Sequence, residues 1–277
     1  MEKPSRPLIS ALVTTFNEEQ NIGECIESIL WADEVIVVDS FSTDRTVEIV
    51  RKYPTVKLFE RRYYGAASQK NWAMDQTTHP WIFIIDADER VTPELRDEIL
   101  RLLERGPDNE AYIVNRQVYF MDKRLRFSGW QHDRVVRLIR RGAGRYPNKR
   151  VHADMKTECK PTVLKYSLIH YMIESFDQYL PRIVNYGFWG AGQGWKTRKR
   201  AGVFEVFIRP IWRFLRMYVF QGGFLDGMHG LVFCMLQSFG TYLKWAILWE
   251  FYQNAKRGRQ PALPPFDEDD STWEVKE

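Results

Sequence analysis

The chain has 277 residues, of which 44% are hydrophobic and 14% aromatic, and its formal net charge at pH 7 is +4. That length and apolar content suffice for one large domain with an appendage. The three cysteines lie far apart and form no CxxC pair, which argues against a disulfide framework or a zinc knuckle and favours a reducing cytosol. The N-terminal stretch lacks the apolar core of a secretory signal, and no uncharged run of about 20 apolar residues predicts a membrane span.

Short apolar runs alternate with amphipathic segments over the first hundred residues. The predicted strands cover 8–15, 35–39, 56–59 and 81–85. Each is followed by a segment whose apolar residues recur at helical spacing. The last of these helices begins with Thr92, Pro93 and Glu94, which are suited to the N-cap, the first helical position and the first turn. The alternation is typical of an α/β fold with a doubly wound, mostly parallel sheet and helices on both faces.

The pattern changes after residue 110. Two further strands are expected at 111–120 and 135–139, while 146–170 is irregular with strand-like pieces, and the chain becomes helical and aromatic from about residue 174. The predicted parts are an α/β domain at 1–172, an aromatic-rich helical region at 173–256 and an acidic flexible tail at 257–277.

Polar residues follow three of the predicted strands. Ligands of such sheets bind beyond the carboxyl ends of the strands, so we expect these side chains to line one crevice. They are Thr14, Thr15 and Asn17 after the first strand, Asp39 and Ser40 after the second, and Asp86 and Asp88 after the fourth.

The stretch WIFIIDADERVTPE (81–94) places three carboxylates within four residues, and charges this close repel one another. If the strand continued, Asp86 and Asp88 would point to the same face. A hard divalent cation, Mn2+ or Mg2+, would relieve the repulsion, and such ions are usually shared with substrate phosphates. The competing interpretation is a solvated acidic turn before a helix, which is the commoner explanation of an isolated DxD.

Seven motifs follow one another along the chain: VTTFNEEQNI (13–22), WADEVIVVDSFSTDRTVEI (31–49), ASQKNWAMD (67–75), WIFIIDADERVTPEL (81–95), GW…D…VVRLIRR (129–141), VHAD (151–154) and GFLDG (223–227). Together they resemble inverting family 2 glycosyltransferases, and within them the bacterial lipopolysaccharide-core β-glucosyltransferases. The similarity spans about residues 8–250, and the ordered set is far more specific than any single motif.

The resemblance implies a GT-A-type fold, in which 1–172 would be the catalytic, nucleotide-sugar-binding domain and 173–256 a membrane-associating, acceptor-side region. The residues that match nucleotide-sugar-binding positions are Thr14, Phe16, Glu18, Asp39, Lys70, Asp86 and Arg137. Among them, Asp39 would accept hydrogen bonds from the base, expected to be uracil, and Asp86 would lie near the ribose or a metal-bound water. Asp88 and His152 match metal-binding positions. A bound Mn2+ or Mg2+ would act as a Lewis acid that neutralises the departing nucleoside diphosphate.

An inverting transfer also needs a base that takes the proton from the acceptor hydroxyl. Asp133 matches the family's pattern for this role, and the alternative is a surface aspartate paired with Arg134 or Arg137. The chain departs from the pattern at three positions. Phe41 stands where glycine is usual, His132 where proline is frequent, and Ala153 where glutamate is frequent.

The segment 203–220 combines arginines and large apolar residues. Arg209, Arg213 and Arg216 lie four and three residues apart, on one side of a helix, beside several aromatic residues. A basic stripe of this kind fits a helix that lies in a membrane interface. The alternative is ordinary packing onto the catalytic domain, and the modest charge makes nucleic acid an improbable partner.

We therefore expect a metal-dependent, inverting glycosyltransferase that moves a hexose, glucose from UDP-glucose, to a hydroxyl of a membrane glycolipid such as a lipopolysaccharide core. The expected location is the inner face of the cytoplasmic membrane, with peripheral attachment. Two alternatives remain open: a polyprenyl-phosphate glycosyltransferase, whose acceptor is a phosphate, and a non-catalytic nucleotide-sugar-binding membrane partner.

Overall fold

The computed structural model describes residues 6–147 and 154–260. The chain divides into two compact units. The first unit comprises the residues up to 117 together with 132–171, and the second comprises 118–131 and the residues from 172 onward. The 118–131 segment, which the sequence analysis placed in the catalytic domain, thus belongs to the second unit.

The described strands, in chain order, are β1 (Ile9–Thr15), β2 (Glu34–Asp39), β3 (Val56–Glu60), β4 (Trp81–Asp86), β5 (Glu89–Val91), β6 (Ala111–Phe120), β7 (Lys123–Arg124), β8 (Arg134–Arg140), β9 (Gly144–Arg145), β10 (Lys156–Thr157) and β11 (Thr162–Ile173). The α-helices are α1 (Ile22–Glu27), α2 (Thr46–Val50), α3 (Ala66–Gln76), α4 (Pro93–Arg105), α5 (Phe176–Lys196), α6 (Arg209–Leu215) and α7 (Gly227–Lys256).

The main sheet has the strand order β3-β2-β1-β4-β8-β6-β11-β5. The strands β1 to β4 pair in parallel, and the sheet continues through antiparallel pairs of β8 with β4 and β6 and of β5 with β11. Helices α1 and α4 pack on one face of the parallel part and α3 on the other. Because both faces are covered, β1, β2 and β4 are nearly continuous apolar runs. The predicted α/β fold is confirmed.

The start of α4 follows its sequence signal. The Thr92 hydroxyl caps the helix by accepting a hydrogen bond from the Leu95 amide at 3.2 Å, and Pro93 occupies the first helical position. The strand-like pieces predicted within 146–170 include β11, which is longer than expected, a regular strand of 12 residues that continues to Ile173. Its buried face carries His170 as well as Leu164 and Leu168, and this polar residue conceals the alternation of period two.

The second unit is mainly helical, and α5 packs against α7. The π-helical turns Phe204–Ile208 and Arg216–Phe220 flank α6, so that helical structure continues through 204–220. The stretch 223–256 has the length and apolar composition needed to cross a membrane. An uncharged apolar run does not reveal this stretch in the sequence, because the charged residues Asp226, Lys244 and Glu250 interrupt it. Core helices of soluble proteins meet the same two criteria.

Candidate active site

The polar residues at the strand ends meet at one edge of the sheet, as the sequence predicted. In the parallel ladders, Thr15 lies opposite Asp39 and Thr14 lies opposite Asp86. The register of three neighbouring strands therefore brings their carboxyl ends together. Asp88 follows in the turn after β4.

Asp86 is held between two cations. Lys70 Nζ lies 2.5 Å from its Oδ1, and Arg137 Nη2 donates to its Oδ2 at 2.5 Å. Burial is the largest single influence and raises the pKa of the Asp86 carboxyl, but Arg137 and Lys70 together hold that pKa well below its ordinary value. Burial likewise lowers the pKa of Lys70, and Asp86 more than offsets it, so that the pKa is raised. Asp86 is thus an anion and Lys70 a cation at neutral pH.

Glu89 is the buried centre of the charges around Asp86. Its side chain is 0% exposed, and its Oε1 accepts hydrogen bonds from Arg137 at 2.5 Å and Arg116 at 3.2 Å. Its Oε2 accepts from the Asp86 amide at 3.0 Å, which fixes the tight turn of the DADE motif. Glu89 is thus the counterion of two arginines.

Asp133 pairs with Arg116. Arg116 Nη2 donates to Oδ1 of Asp133 at 2.8 Å. Arg116 Nε lies 2.8 Å from Oδ2, but the angle does not form a hydrogen bond, so Oδ2 is buried without a hydrogen-bond partner among the described residues. The alternative interpretation, a surface pair with Arg134 or Arg137, is therefore wrong, since the partner is Arg116 and the Asp133 side chain is only 14% exposed.

These contacts join six side chains into one chain of alternating charge: Lys70, Asp86, Arg137, Glu89, Arg116 and Asp133. Its three cations and three anions balance. Each residue comes from a different element or turn of the first unit, so the sheet register, and not sequence proximity, assembles the chain. Every cation in this chain of charges is paired with a carboxylate. These cations can therefore neutralise only part of the charge of an anionic ligand that binds beside them.

Asp88 lies beside this chain and faces a histidine that the sequence analysis missed. Its Oδ2 lies 3.6 Å from Nε2 of His170, and its carbonyl accepts a hydrogen bond from the Tyr171 amide. Burial lowers the pKa of His170, but Asp88 more than offsets this effect, so the pKa is raised. The Nδ1 of His170 is buried with no hydrogen-bond partner among the described residues. His152, the other predicted metal ligand, lies outside the described residues.

These residues fit a divalent cation only in a limited way. Within 6–147 and 154–260, no group of three or more His, Cys, Asp and Glu side chains could hold a metal ion. Mg2+, however, is usually bound by one or two carboxylates and completes its shell with water and substrate phosphates. Asp88 can supply one carboxylate to a cation that is shared with a diphosphate, whereas the raised pKa of His170 favours the protonated imidazole, which does not ligate a metal.

Two loops at the same edge of the sheet are tied to each other. Asn17 Oδ1 accepts a hydrogen bond from the backbone amide of Thr43, and the backbone amide of Asn17 donates one to the Ser42 hydroxyl, both at 2.8 Å. Both oxygens of Asp39 are hydrogen-bonded by Ser42, and the Asp39 side chain is fully buried. Phe41 adopts a φ of 61°, the left-handed region that glycine tolerates, at a cost of roughly 1–2 kcal/mol.

The predicted nucleoside residues lie on or beside these loops. Phe16 and Phe41 are both more than half exposed. Glu18 accepts a hydrogen bond from the Asn21 side chain at 3.1 Å, and its amide donates to the Thr46 hydroxyl. The structure therefore brings Thr14, Asp39, Lys70, Asp86 and Arg137 to one edge of the sheet, with exposed aromatic rings at the rim.

A comparison with known proteins shows the family to which the chain belongs. The profile of Glycosyl transferase family 2 matches residues 10–161, more than half of the chain. The chain belongs to this family and is a glycosyltransferase. The lipopolysaccharide core biosynthesis glycosyltransferase LpsC of Rhizobium meliloti (strain 1021) is 32% identical over 257 residues, which are 88% of this chain and 95% of that protein.

Two further proteins are similar over most of the chain. An uncharacterized glycosyltransferase of Rickettsia bellii (strain RML369-C) is 29% identical, with 87% of this chain and 86% of that protein covered. The crystal structure of TarS from S. aureus in complex with UDP-GlcNAc superposes with a TM-score of 0.47 at 14% identity, covering 91% of this chain and 92% of the other.

Proposed function

We propose that this glycosyltransferase moves a hexose, glucose from UDP-glucose, with inversion to a hydroxyl of a membrane glycolipid of the lipopolysaccharide-core type. The observation that carries the proposal is the similarity to LpsC, which is named for lipopolysaccharide core biosynthesis and matches over nearly the full length of both proteins. The edge of the sheet where Thr14, Asp39 and Asp86 meet supports a nucleotide-sugar donor, because ligands of parallel sheets bind at that edge.

The charge balance of the site supports metal dependence. Lys70 and Arg137 are already paired with Asp86 and Glu89, so a diphosphate that enters beside them brings negative charge that these cations neutralise only in part. Asp88 would hold Mn2+ or Mg2+, which would supply the remaining neutralisation of the departing nucleoside diphosphate. Lys70 and Arg137 orient the diphosphate and keep Asp86 ionised.

Asp133 is the proposed general base. Its carboxylate would accept the proton of the acceptor hydroxyl, and its Oδ2 is engaged only by the ion-pair contact with Arg116 among the described residues. Arg116 holds the carboxylate in one orientation through Oδ1. When Asp133 becomes neutral, Arg116 keeps Glu89 as a counterion, so protonation does not leave a buried arginine without a carboxylate.

The test is Asp133→Asn, assayed with UDP-glucose and a lipopolysaccharide core that lacks the transferred hexose. Asparagine keeps the shape but not the basicity, so we expect kcat to fall by about 10²-fold or more, while donor binding measured by calorimetry is unchanged.

Asp33→Asn is the control, because Asp33 also pairs with an arginine, Arg6, but it is more exposed and lies at the amino-terminal side of the sheet. Its kcat should match the wild type. Retention of full activity by Asp133→Asn would remove the role of base and would favour a phosphate acceptor, which needs little help from a base. Donor binding without transfer or hydrolysis in the wild type would contradict the proposed enzyme activity itself.

A further inference from the structure

The helical stretch 203–220 of the second unit turns an apolar face outward. Nine large apolar side chains on it are 39–75% exposed. They are Val203, Phe204, Phe207, Ile208, Ile211, Trp212, Leu215, Val219 and Phe220. Along the chain they follow one another mostly at a spacing of four residues, in one row from Val203 to Val219 and an adjacent row from Phe204 to Phe220. Both rows lie on the exposed side of the helix. We call these nine residues the outer face.

The side of this stretch that packs against the rest of the second unit is apolar and includes Pro210, Phe214 and Met217, while Arg209 and Arg213 remain exposed and also contact α7. The Arg209 guanidinium lies 4.9 Å from the centre of the Trp245 ring, and Arg213 donates a hydrogen bond to the Gln237 side chain of α7 at 3.0 Å. A surface helix of a soluble protein buries its apolar side and turns polar residues to the solvent. This stretch does the first, but it also turns nine large apolar side chains outward. The predicted basic stripe lies beside them, since Arg209, Arg213 and Arg216 are exposed as well.

Positive charge borders the outer face. Between residues 196 and 216 the sequence has seven basic residues and a single acidic one, Glu205. Lys199, Arg200 and Arg209 line a cleft of about 360 Å³ together with Glu205 and Trp245. Burial, followed by the neighbouring cations Lys199, Arg209 and Arg213, lowers the pKa of Lys244, as expected where positive charges gather. The cleft therefore suits an anionic group such as a phosphate.

An exposed apolar face of this extent marks a surface that something covers. A second copy of the chain is disfavoured, because a symmetric contact would bring the two basic borders together. A bilayer with anionic headgroups meets both features, since the acyl region accepts Phe, Trp and Ile while the headgroups bind Lys and Arg. Eighteen helical residues give a contact about 27 Å long, which is suited to a helix lying along the surface.

We propose that the outer face inserts into the interfacial layer of an anionic lipid bilayer, with the headgroup phosphates bound at the cleft of Lys199 and Arg200. This surface would bring the enzyme to a lipid-linked acceptor. Only this statement about the acceptor rests on the proposed function. Binding to lipid requires neither donor nor transfer, so the two can fail separately.

The experiment is cosedimentation of the full chain with vesicles of phosphatidylcholine, alone or mixed with phosphatidylglycerol, without donor or acceptor. Phe207→Gln/Trp212→Gln/Phe220→Gln should weaken binding to both vesicle types by at least tenfold. Lys199→Gln/Arg200→Gln should weaken binding to the anionic vesicles by about 25-fold, or about fivefold per residue, and leave binding to phosphatidylcholine unchanged.

The control is Leu30→Gln/Val163→Gln, which changes two exposed apolar residues of the first unit and should bind as the wild type does. Urea unfolding and slow donor hydrolysis in solution, unchanged in all variants, confirm that each one folds. The proposal is overturned if the wild type does not sediment with anionic vesicles, or if the triple variant sediments equally well. A wild-type dimer that the triple variant dissociates, with no binding to vesicles, would show that a second copy covers the outer face.

Discussion

Glu89 shows at the scale of one residue how the site tolerates its charges. A buried carboxylate is costly unless it is paired, and Glu89 has two arginines and a backbone amide as partners. Its loss would leave Arg137 with Asp86 as its remaining carboxylate and Arg116 with Asp133. The side chains of Arg137 and Arg116 are only 2% and 15% exposed, so water cannot replace the lost carboxylate as a partner of either charge.

We therefore expect Glu89→Gln to lower the free energy of unfolding by about 3 kcal/mol, because breaking a buried pair leaves an uncompensated charge. Urea unfolding at neutral pH measures the difference. Glu110→Gln serves as the comparison, since Glu110 pairs with Arg140 on the surface and should contribute less than about 1 kcal/mol. Equal losses in the two variants would mean that the buried network adds nothing beyond an exposed ion pair.

At the scale of an element, Glu34 ties the beginning of β2 to its neighbours. It accepts hydrogen bonds from Ser10 of β1 at 2.5 Å, from Lys57 of β3 at 2.6 Å, and from the Thr78 amide before β4 at 2.9 Å. One carboxylate thus joins all four parallel strands at the edge opposite the active site. Burial raises the pKa of Glu34, but these hydrogen bonds more than offset it, and the pKa is about 2.

This lowered pKa makes the sheet sensitive to acid. A group whose pKa is depressed in the folded state stabilises it above the unfolded pKa, here 4.5, and loses that contribution as the pH falls toward about 2. We expect Glu34→Gln to destabilise the protein at neutral pH and the difference from the wild type to shrink below about pH 4. Urea unfolding of both proteins at several pH values checks this. A difference that does not change with pH would show that the carboxylate charge is unimportant.

For the whole molecule, donor and metal should stabilise the fold together. A ligand that binds only the folded state adds a free energy that depends on its concentration, about 2.7 kcal/mol at 100 times its Kd. If Asp88 holds a cation between protein and diphosphate, UDP-glucose with Mn2+ should raise the melting temperature more than either one alone. Chelation by EDTA should abolish the difference.

Asp88→Asn should lose this joint stabilisation, and Asp97→Asn, which changes an exposed carboxylate of α4, should keep it. Thermal unfolding with each combination of ligands provides the comparison. If UDP-glucose alone stabilises the wild type as strongly as the mixture does, metal dependence is contradicted.

The sequence by itself determined the features that arise from neighbouring residues. The apolar runs, the Thr92-Pro93 helix start and the polar residues after each strand are local signals, and the parallel half of the sheet follows from them. The ordered motifs also predict the family, because several of them contain the polar residues at the ends of these strands. Asp39, Lys70 and Asp86 could thus be assigned to one edge of the sheet before any contact was known.

Only the tertiary structure decided which charges meet and which helix face is exposed. Glu89 meets Arg116 and Arg137 across 27 and 48 residues of chain, and the antiparallel register beyond β4, which no local pattern specifies, sets those distances. His170 was hidden in a strand whose alternation it interrupts. The spacing of Arg209 and Arg213 predicted a stripe but not its contacts, because these depend on packing against α7: the arginines contact Trp245 and Gln237 and remain exposed beside the apolar rows.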